Sequence, residues 1–397
     1  MTPTRSIWPF YSADAIAKVS AMLAAGDSYA TSEHPAISDL ESGFTASFRL
    51  PGRGLFLGSG TAALFAGYYG LNLPPGSEVL VPAYTFHATI TPLLALGFRP
   101  VLCDVDAKTG LLDLNDARSK LTSETRALVV THLWGQIVDV LAARRFCDER
   151  GLYLVEDCSH AHGAIAADYR VGEKADFAAF SLGTKKLISG GLGGMLITES
   201  PQIYERAVVL SQPRPRAIAL LEAMGSSLVE YARTGLGYNL RGSPISAVLA
   251  HDHLSRFPEI VRTKNANLRA VAELLRQFLP GAEMPDIPRD ENGTLYLLPV
   301  VLPPADAERD EVVGRLREAG MRAGRLPRGL QHEAIARDSR PVLSSGVTAR
   351  ADGSFRSVQN LERHGFRLDT RDMYLPWSSG QLDNLAAGLR QVELTSG

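Results

Sequence analysis

Two adjacent lysines, Lys185 and Lys186, follow Ser181 closely and lead into a glycine tract, Gly190, Gly191, Gly193 and Gly194. Upstream, the apolar run 152–155 ends in Glu156-Asp157. A carboxylate at the tip of a buried strand is thus followed by a hydroxyl and an amine on the loop leaving another strand. The glycines let the backbone pass close to a ligand. That set suits pyridoxal phosphate. The cofactor needs a lysine to hold its aldehyde as a Schiff base, and an acid to keep its pyridine nitrogen protonated so that the ring accepts electrons. Asp157 fits the acid, and one of the two lysines fits the Schiff base. Taken singly, each has a plainer reading as a turn-capping carboxylate or a solvated surface amine; the combination carries the chemistry.

The elements that must position these groups alternate along the chain. Gly58-Ser59-Gly60-Thr61 opens a helix expected over 62–69, and its free N–H groups and positive dipole end suit a phosphate. A strand over 78–82 leads into the segment that holds Phe86. Strands over 100–105 and 127–132, a helix over 138–150, and strands over 152–155, 175–182 and 194–198 follow. Near-continuous apolar strands alternating with helices argue for an α/β fold with a mainly parallel sheet covered on both faces. Ligands in such sheets sit at the carboxyl ends of the strands, where Asp157 and Phe86 fall. Other helices are expected over 12–25, 37–48, 204–211, 217–233 after a proline-broken 212–216, 243–257, 264–279, 308–319 and 382–392. A strand-like run covers 293–302, and a Ser/Gly-rich loop covers 343–357. The spacing places a large domain at 1–245 and a smaller α+β domain at 246–397.

Composition excludes several classes. A net charge of −2 over 397 residues gives no footing for nucleic acid or an anionic membrane surface. No apolar run reaches the length of a membrane span, and residues 1–16 lack a signal-peptide pattern. Cys103, Cys147 and Cys158 are odd in number and widely spaced, as reduced core thiols of a cytoplasmic protein would be. His160 and His162, if on a strand, would share one face. No further Cys, His or carboxylate stands at a zinc-like spacing around them, so no metal is expected.

The stretch around these residues resembles the DegT/DnrJ/EryC1/StrS sugar aminotransferases of fold-type I. The similarity rests on Glu156-Asp157-Cys158-Ser159-His160-Ala161-His162-Gly163, on Phe180-Ser181-Leu182-Gly183-Thr184-Lys185-Lys186, and on Ser59-Gly60-Thr61-Ala62-Ala63-Leu64. Gly237-Tyr238-Asn239-Leu240-Arg241 adds a fourth block. Leu192 stands where the family usually has Glu, and Leu240 where it has Tyr. The resemblance implies a fold-type I large domain with a seven-stranded sheet. It selects Lys186 as the Schiff-base lysine and acid–base group, with Asp157 on the pyridine nitrogen. It implies Ser59, Gly60, Thr61 and Ser181 at the phosphate, Phe86 stacked on the ring and His160 against the ring or its hydroxyl. It also implies a homodimer in which Asn239 reaches the cofactor of the other subunit.

The implied reaction moves an amino group from Glu or Gln to a keto-sugar or keto-cyclitol, in secondary-metabolite or cell-surface sugar biosynthesis. Two alternatives stand beside it. One is a same-fold enzyme performing elimination, decarboxylation or cyclisation; the other is a non-catalytic pyridoxal-phosphate-binding regulator. Family dehydratases carry histidine at the lysine position, and a mere binder would be expected to lose the lysine or the aspartate. Segment 212–236 is expected at the substrate mouth. Arg214, Arg216 and Arg328 are candidates for a donor carboxylate or a diphosphate, although a solvated surface arginine is the plainer reading of each.

Overall fold

Seven short strands make the central sheet of the protein, whose computed structural model describes residues 8–166, 169–235, 237–289, 291–303, 309–340 and 342–393. They are β1 (Arg53–Leu57), β2 (Glu78–Pro82), β3 (Arg99–Cys103), β4 (Thr125–Thr131), β5 (Tyr153–Asp157), β8 (Phe177–Ser181) and β9 (Gly194–Thr198). A small hairpin, β6 (Ile165–Ala166) and β7 (Tyr169–Arg170), interrupts the series. The spatial order is β1-β9-β8-β5-β4-β2-β3, with β9 antiparallel to both its neighbours and the pairs from β8 to β3 parallel. Side chains alternate between two cores, as the strand period requires. Val79, Val81, Ala127 and Val129 enter one core, while Leu80, Leu128 and Val130 enter the other.

Helices close both faces. They run α1 (Ala13–Ala24), α2 (Pro35–Phe48), α3 (Gly60–Gly70), α4 (Thr91–Ala95), α5 (Leu114–Ser119), α6 (Val140–Arg150) and α7 (Pro201–Ser211). Helix α3 packs on β8 and α7. A Cβ at Gly67 would lie 2.3 Å from the Phe177 ring, so this helix sits where it does only with glycine there.

The expected helix over 217–233 is two helices, α8 (Arg214–Ala223) and α9 (Val229–Arg233). Gly225 takes φ 65°, and the amides of Gly225 and Ser226 bond back to Glu222 and Leu221, closing α8. Pro215 sits in the first turn of α8, where its missing N–H costs no bond, so 212–216 starts a helix instead of breaking one.

Helix α10 (Pro244–Ser255) lies against α2. Helix α11 (Phe257–Phe278) then bridges two cores: Phe257, Ile260 and Val261 join the sheet, while Leu268, Val271 and Leu275 join a third cluster. That cluster holds β10 (Leu297–Val301), α12 (Arg309–Glu318), β11 (Ala323–Arg325), β12 (Gly365–Asp369) and the last helix, Ser379–Glu393. The three strands form an antiparallel sheet in the order β10-β12-β11. The chain between β11 and β12 carries α13 (Ala334–Arg337) and α14 (Arg356–His364), so the last helix is α15. The strand-like run 293–302 becomes regular only at Leu297. Gly293 takes φ 101°, and the Tyr296 amide turns to the Trp134 carbonyl at 2.8 Å. No helix among the described residues is long and apolar enough to cross a membrane.

Arg216 corrects an expectation. Its guanidinium is buried, not at a substrate mouth. It meets Glu41 at 2.7 Å, Glu33 at 3.3 Å and the Gln212 side chain at 2.7 Å. Glu41 also accepts the Phe56 amide at 2.7 Å, so one ion pair ties α2, α8 and β1. Burial pushes the Glu41 carboxyl up, and Arg216 opposes that. Arg216→Met leaves a buried charge without its partner and is expected to cost about 3–5 kcal/mol in denaturant unfolding. Adding Glu41→Leu should restore part of that loss, because a matched apolar pair needs no counter-charge.

Candidate active site

The carboxyl ends of β2, β4, β5 and β8 open into a cavity of about 670 Å³. Ser59, Gly60, Thr61, Phe86, Asp157, His160, Ser181 and Lys186 all line it. One end is built by the entry to α3. Ser59 is extended, and its hydroxyl accepts the Ala62 amide at 3.0 Å. The Ala63 amide bonds to the Ser59 carbonyl at 3.0 Å. The amides of Gly60 and Thr61 precede that first helical bond, which leaves them as donors for an anion. A Cβ on Gly60 would stand 2.8 Å from the Ser181 Cβ, and one on Gly194 would stand 2.2 Å from the Ser59 carbonyl oxygen. Glycine at both places brings the Ser181 hydroxyl beside the helix entry.

Asp157 ends β5 as a buried carboxylate. Thr89 Oγ1 donates to its Oδ2 at 2.9 Å, and the Ser159 amide donates to Oδ1 at 3.2 Å. Thr89 is itself fixed: its hydroxyl lies 3.0 Å from that of Thr85, and its carbonyl accepts the Tyr68 phenol at 3.0 Å. Two donors therefore aim the carboxylate from a rigid surround.

The two lysines diverge. Lys185 is exposed and Lys186 is half-buried. The Lys186 Nζ lies 4.4 Å from the centroid of the Tyr296 ring. Burial lowers its pKa to about 8; Asp157 opposes the shift and Lys185 adds to it. An amine so placed is a better nucleophile and base near neutrality than a solvated lysine.

His160 lies in the cavity wall, stacked on Tyr296 with centroids 4.1 Å apart and planes within 6°. Its Nδ1 accepts the Trp134 amide at 3.3 Å, and burial holds its pKa well below the usual range. The ring is neutral, with its proton on Nε2. Trp134 has φ 59°, a strained conformation for a bulky side chain. From there its N–H meets His160 and its carbonyl meets the Tyr296 amide.

His162 does not share a face with His160. The chain turns after Asp157, with the Ala161 amide bonded to the Cys158 carbonyl and Gly163 at φ 64°. His162 instead enters the core and donates from Nε2 to the Ser181 carbonyl at 3.0 Å. Behind the cavity, His132, Glu156 and Cys158 come within 4.8 Å of one another, a grouping that sequence spacing did not show. Their atoms are largely committed to the protein. Glu156 Oε2 receives His132 Nε2 at 3.0 Å, the Tyr169 phenol and the Gly172 amide, and His132 Nδ1 accepts the Val138 amide.

Asn239 is not among the residues lining the cavity. It is exposed, at φ 55°, on a segment whose Leu240 carbonyl accepts the Gly58 amide at 2.7 Å. Nor do the described residues of 212–236 line the cavity, and Arg214 is exposed in the first turn of α8. Arg328 does line it, together with Glu333, Arg367 and Tyr296, none of which stood out in the sequence. Their only signal is the fold, which sets the smaller sheet against the strand ends of the larger one.

The donor set matches the needs of pyridoxal phosphate: helix-entry amides and the Ser59, Thr61 and Ser181 hydroxyls for a phosphate, a fixed carboxylate, and a desolvated lysine. The sequence model of the DegT/DnrJ/EryC1/StrS aminotransferase family matches residues 12–344. The chain is 29% identical to the GDP-perosamine synthase of Vibrio cholerae over 238 residues, 60% of this chain and 61% of that one. It is 34% identical over 223 residues to the L-glutamine:2-deoxy-scyllo-inosose aminotransferase of Streptomyces paromomycinus, covering 56% of this chain and 51% of that one. The aligned part thus spans between half and about three-fifths of these relatives' length. The structure of an aminotransferase from Psychrobacter cryohalolentis superposes with a TM-score of 0.84 over 99% of this chain and 100% of that one. Its 22% identity makes that a likeness of fold. With the family matched over most of its length, the chain belongs to the DegT/DnrJ/EryC1/StrS aminotransferases.

Proposed function

We propose that the protein is a pyridoxal-phosphate-dependent aminotransferase that moves an amino group from Glu or Gln to a keto-sugar or keto-cyclitol. The observation that carries this is the desolvated Lys186 amine in one cavity with a buried, doubly hydrogen-bonded Asp157 and the α3 entry. Relatives named as a perosamine synthase and a scyllo-inosose aminotransferase support the acceptor class.

In this reading the Gly60 and Thr61 amides and the Ser59, Thr61 and Ser181 hydroxyls bind the phosphate. Asp157 holds a proton on the pyridine nitrogen, and Thr89 keeps that carboxylate aimed. When bound, the cofactor supplies an electron sink for a carbanion at the donor's α-carbon. Lys186 would hold the aldehyde and, as the free amine, would carry the proton between the donor's α-carbon and the cofactor's C4′. Its lowered pKa suits both the basic and the acidic half of that transfer. His160 lies against the ring or its hydroxyl, and its neutral state leaves Nε2 as a donor. Phe86 at the cavity wall stacks on the ring. Trp134, Tyr296 and Leu133 shield the site from water.

Residues 1–245 form the cofactor-binding unit and 246–397 the smaller one. A second copy of the chain covers the exposed Tyr238 and Leu192 and brings its Asn239 to the phosphate, which accounts for Asn239 being exposed and outside the lining of its own cavity. Three buried free thiols, all with raised pKa, suit the cytoplasm.

Borohydride reduction of the loaded protein, followed by peptide mapping, should place a pyridoxyl label on Lys186. The label should vanish in Lys186→Ala and persist in Lys185→Ala. Label retained in the Lys186 variant would transfer the role to its neighbour. Asp157→Asn should bind the cofactor yet turn over at least about tenfold more slowly, a barrier change of about 1.4 kcal/mol; near-normal turnover would remove Asp157 from the ring nitrogen.

The pH dependence has a definite sign. Lys186 reacts as the free amine, so covalent trapping of cofactor by the apo-protein should rise as pH increases through about 8 and then level off. A rise continuing towards the ordinary lysine value, about 10.4, would contradict the desolvated amine. Keto acid release from glutamate or glutamine, without ammonia or carbon dioxide, separates transamination from elimination or decarboxylation. A panel of keto-sugars and keto-cyclitols then identifies the acceptor.

A further inference from the structure

The loop that carries Lys186 is held from outside by residues 8–11. The Trp8 indole Nε1 donates to the Lys186 carbonyl at 2.7 Å. Three residues further along the loop, the Ser189 amide donates to His253 Nδ1 at 3.0 Å, and His253 Nε2 donates to the Phe10 carbonyl at 3.1 Å. His253 is thus a neutral relay between that loop and the N-terminal segment. Aromatic rings fix it: Trp8 lies 4.1 Å from it and Tyr11 4.7 Å, the latter at 7°. Trp8 is 2% exposed, and its ring stacks on Tyr374 at 4.0 Å and 12°. Its amide donates to the Arg371 carbonyl at 3.0 Å. Tyr374 in turn accepts the Nζ of Lys264 at 3.0 Å, a lysine buried completely in α11.

One indole therefore touches three parts of the fold: the lysine loop, α10 through His253, and the turn after β12. A buried indole N–H needs an acceptor, and here the acceptor is the main chain of Lys186 itself. A lysine side chain is long and flexible, so its amine is placed only as well as its backbone is. A misplacement of about 1 Å can slow a reaction about a hundredfold.

We propose that Trp8 is a positioning residue for Lys186: its indole N–H fixes the lysine's carbonyl and links the lysine loop to the segment that follows β12. This rests on the reading that Lys186 holds the cofactor.

Trp8→Phe tests it, because the ring stack is kept and the N–H is lost. The variant should melt near the wild type and bind cofactor. Its kcat should fall by about tenfold, with KM for donor and acceptor changed by less than about threefold. The second readout needs no turnover. Once the loop is released, the amine gains water, so the pH midpoint for borohydride-trapped labelling of Lys186 in the apo-protein should move up from about 8 towards the ordinary lysine range. Unchanged kcat and an unchanged midpoint would overturn the proposal while leaving the assigned reaction standing. A wild type that takes no label at Lys186 would sink the assigned reaction, and this proposal with it. If Trp8→Phe does not fold, the indole N–H resonance of Trp8 in the 15N-labelled wild type decides. Slow exchange and a shift on adding pyridoxal phosphate are expected; exchange as fast as that of a free indole would overturn the proposal.

Discussion

The close approach of the α3 entry to the paired ends of β8 and β9 is the constraint on which the cavity depends. The Ser59 carbonyl would lie 2.2 Å from a Cβ at Gly194, and the Ser181 Cβ would lie 2.8 Å from one at Gly60. No other residue type fits at either place without separating the elements. The approach sets helix-entry amides and a strand-end hydroxyl around one small volume. Asp157 and Lys186 come to the same volume because β5 neighbours β8 and the lysine loop leaves β8. The chemistry is therefore a property of strand order as much as of side chains.

Desolvation does the remaining work. The cavity wall contributed by the smaller sheet places Tyr296 beside both Lys186 and His160. Burial keeps His160 neutral and brings the lysine within reach of deprotonation near neutral pH. The Trp134 peptide, bent into the left-handed region, holds His160 with its N–H and Tyr296 with its carbonyl. Local strain of this kind persists where the surroundings over-determine it, and here both sheets do so.

Much of this was legible in the chain. The strands at 78–82 and 194–198 appear with the expected bounds, because fully buried strands read as unbroken apolar runs. Eight of the nine expected cofactor-site residues line one cavity; Asn239 does not. The misreadings have physical causes. His160 and His162 would share a face only if the strand's alternation continued past Asp157, and the chain turns at Cys158 instead. Arg216 looked like a solvated or substrate-facing cation because its partner, Glu41, lies far away in sequence. Helix α14 was missed because it follows a Ser/Gly-rich loop and buries only Val358 and Leu361. Tyr296 and Trp134 gave no signal, since their roles arise only when the two sheets meet.

Strand order also governs when the anion cradle comes into being. β1 and the α3 entry lie early in the chain, yet the sheet strand that β1 pairs with is β9, Leu57 bridges to the still later Arg241, and Ser59 bridges to Gly193. On a ribosome the first strand has no hydrogen-bonding neighbour in the sheet until well over a hundred further residues have emerged. Loop closure over such a span is slow, and the unpaired β1 stays open to wrong partners meanwhile. Nascent chains halted before Gly193 should thus hold a partial sheet that cannot yet grip a phosphate.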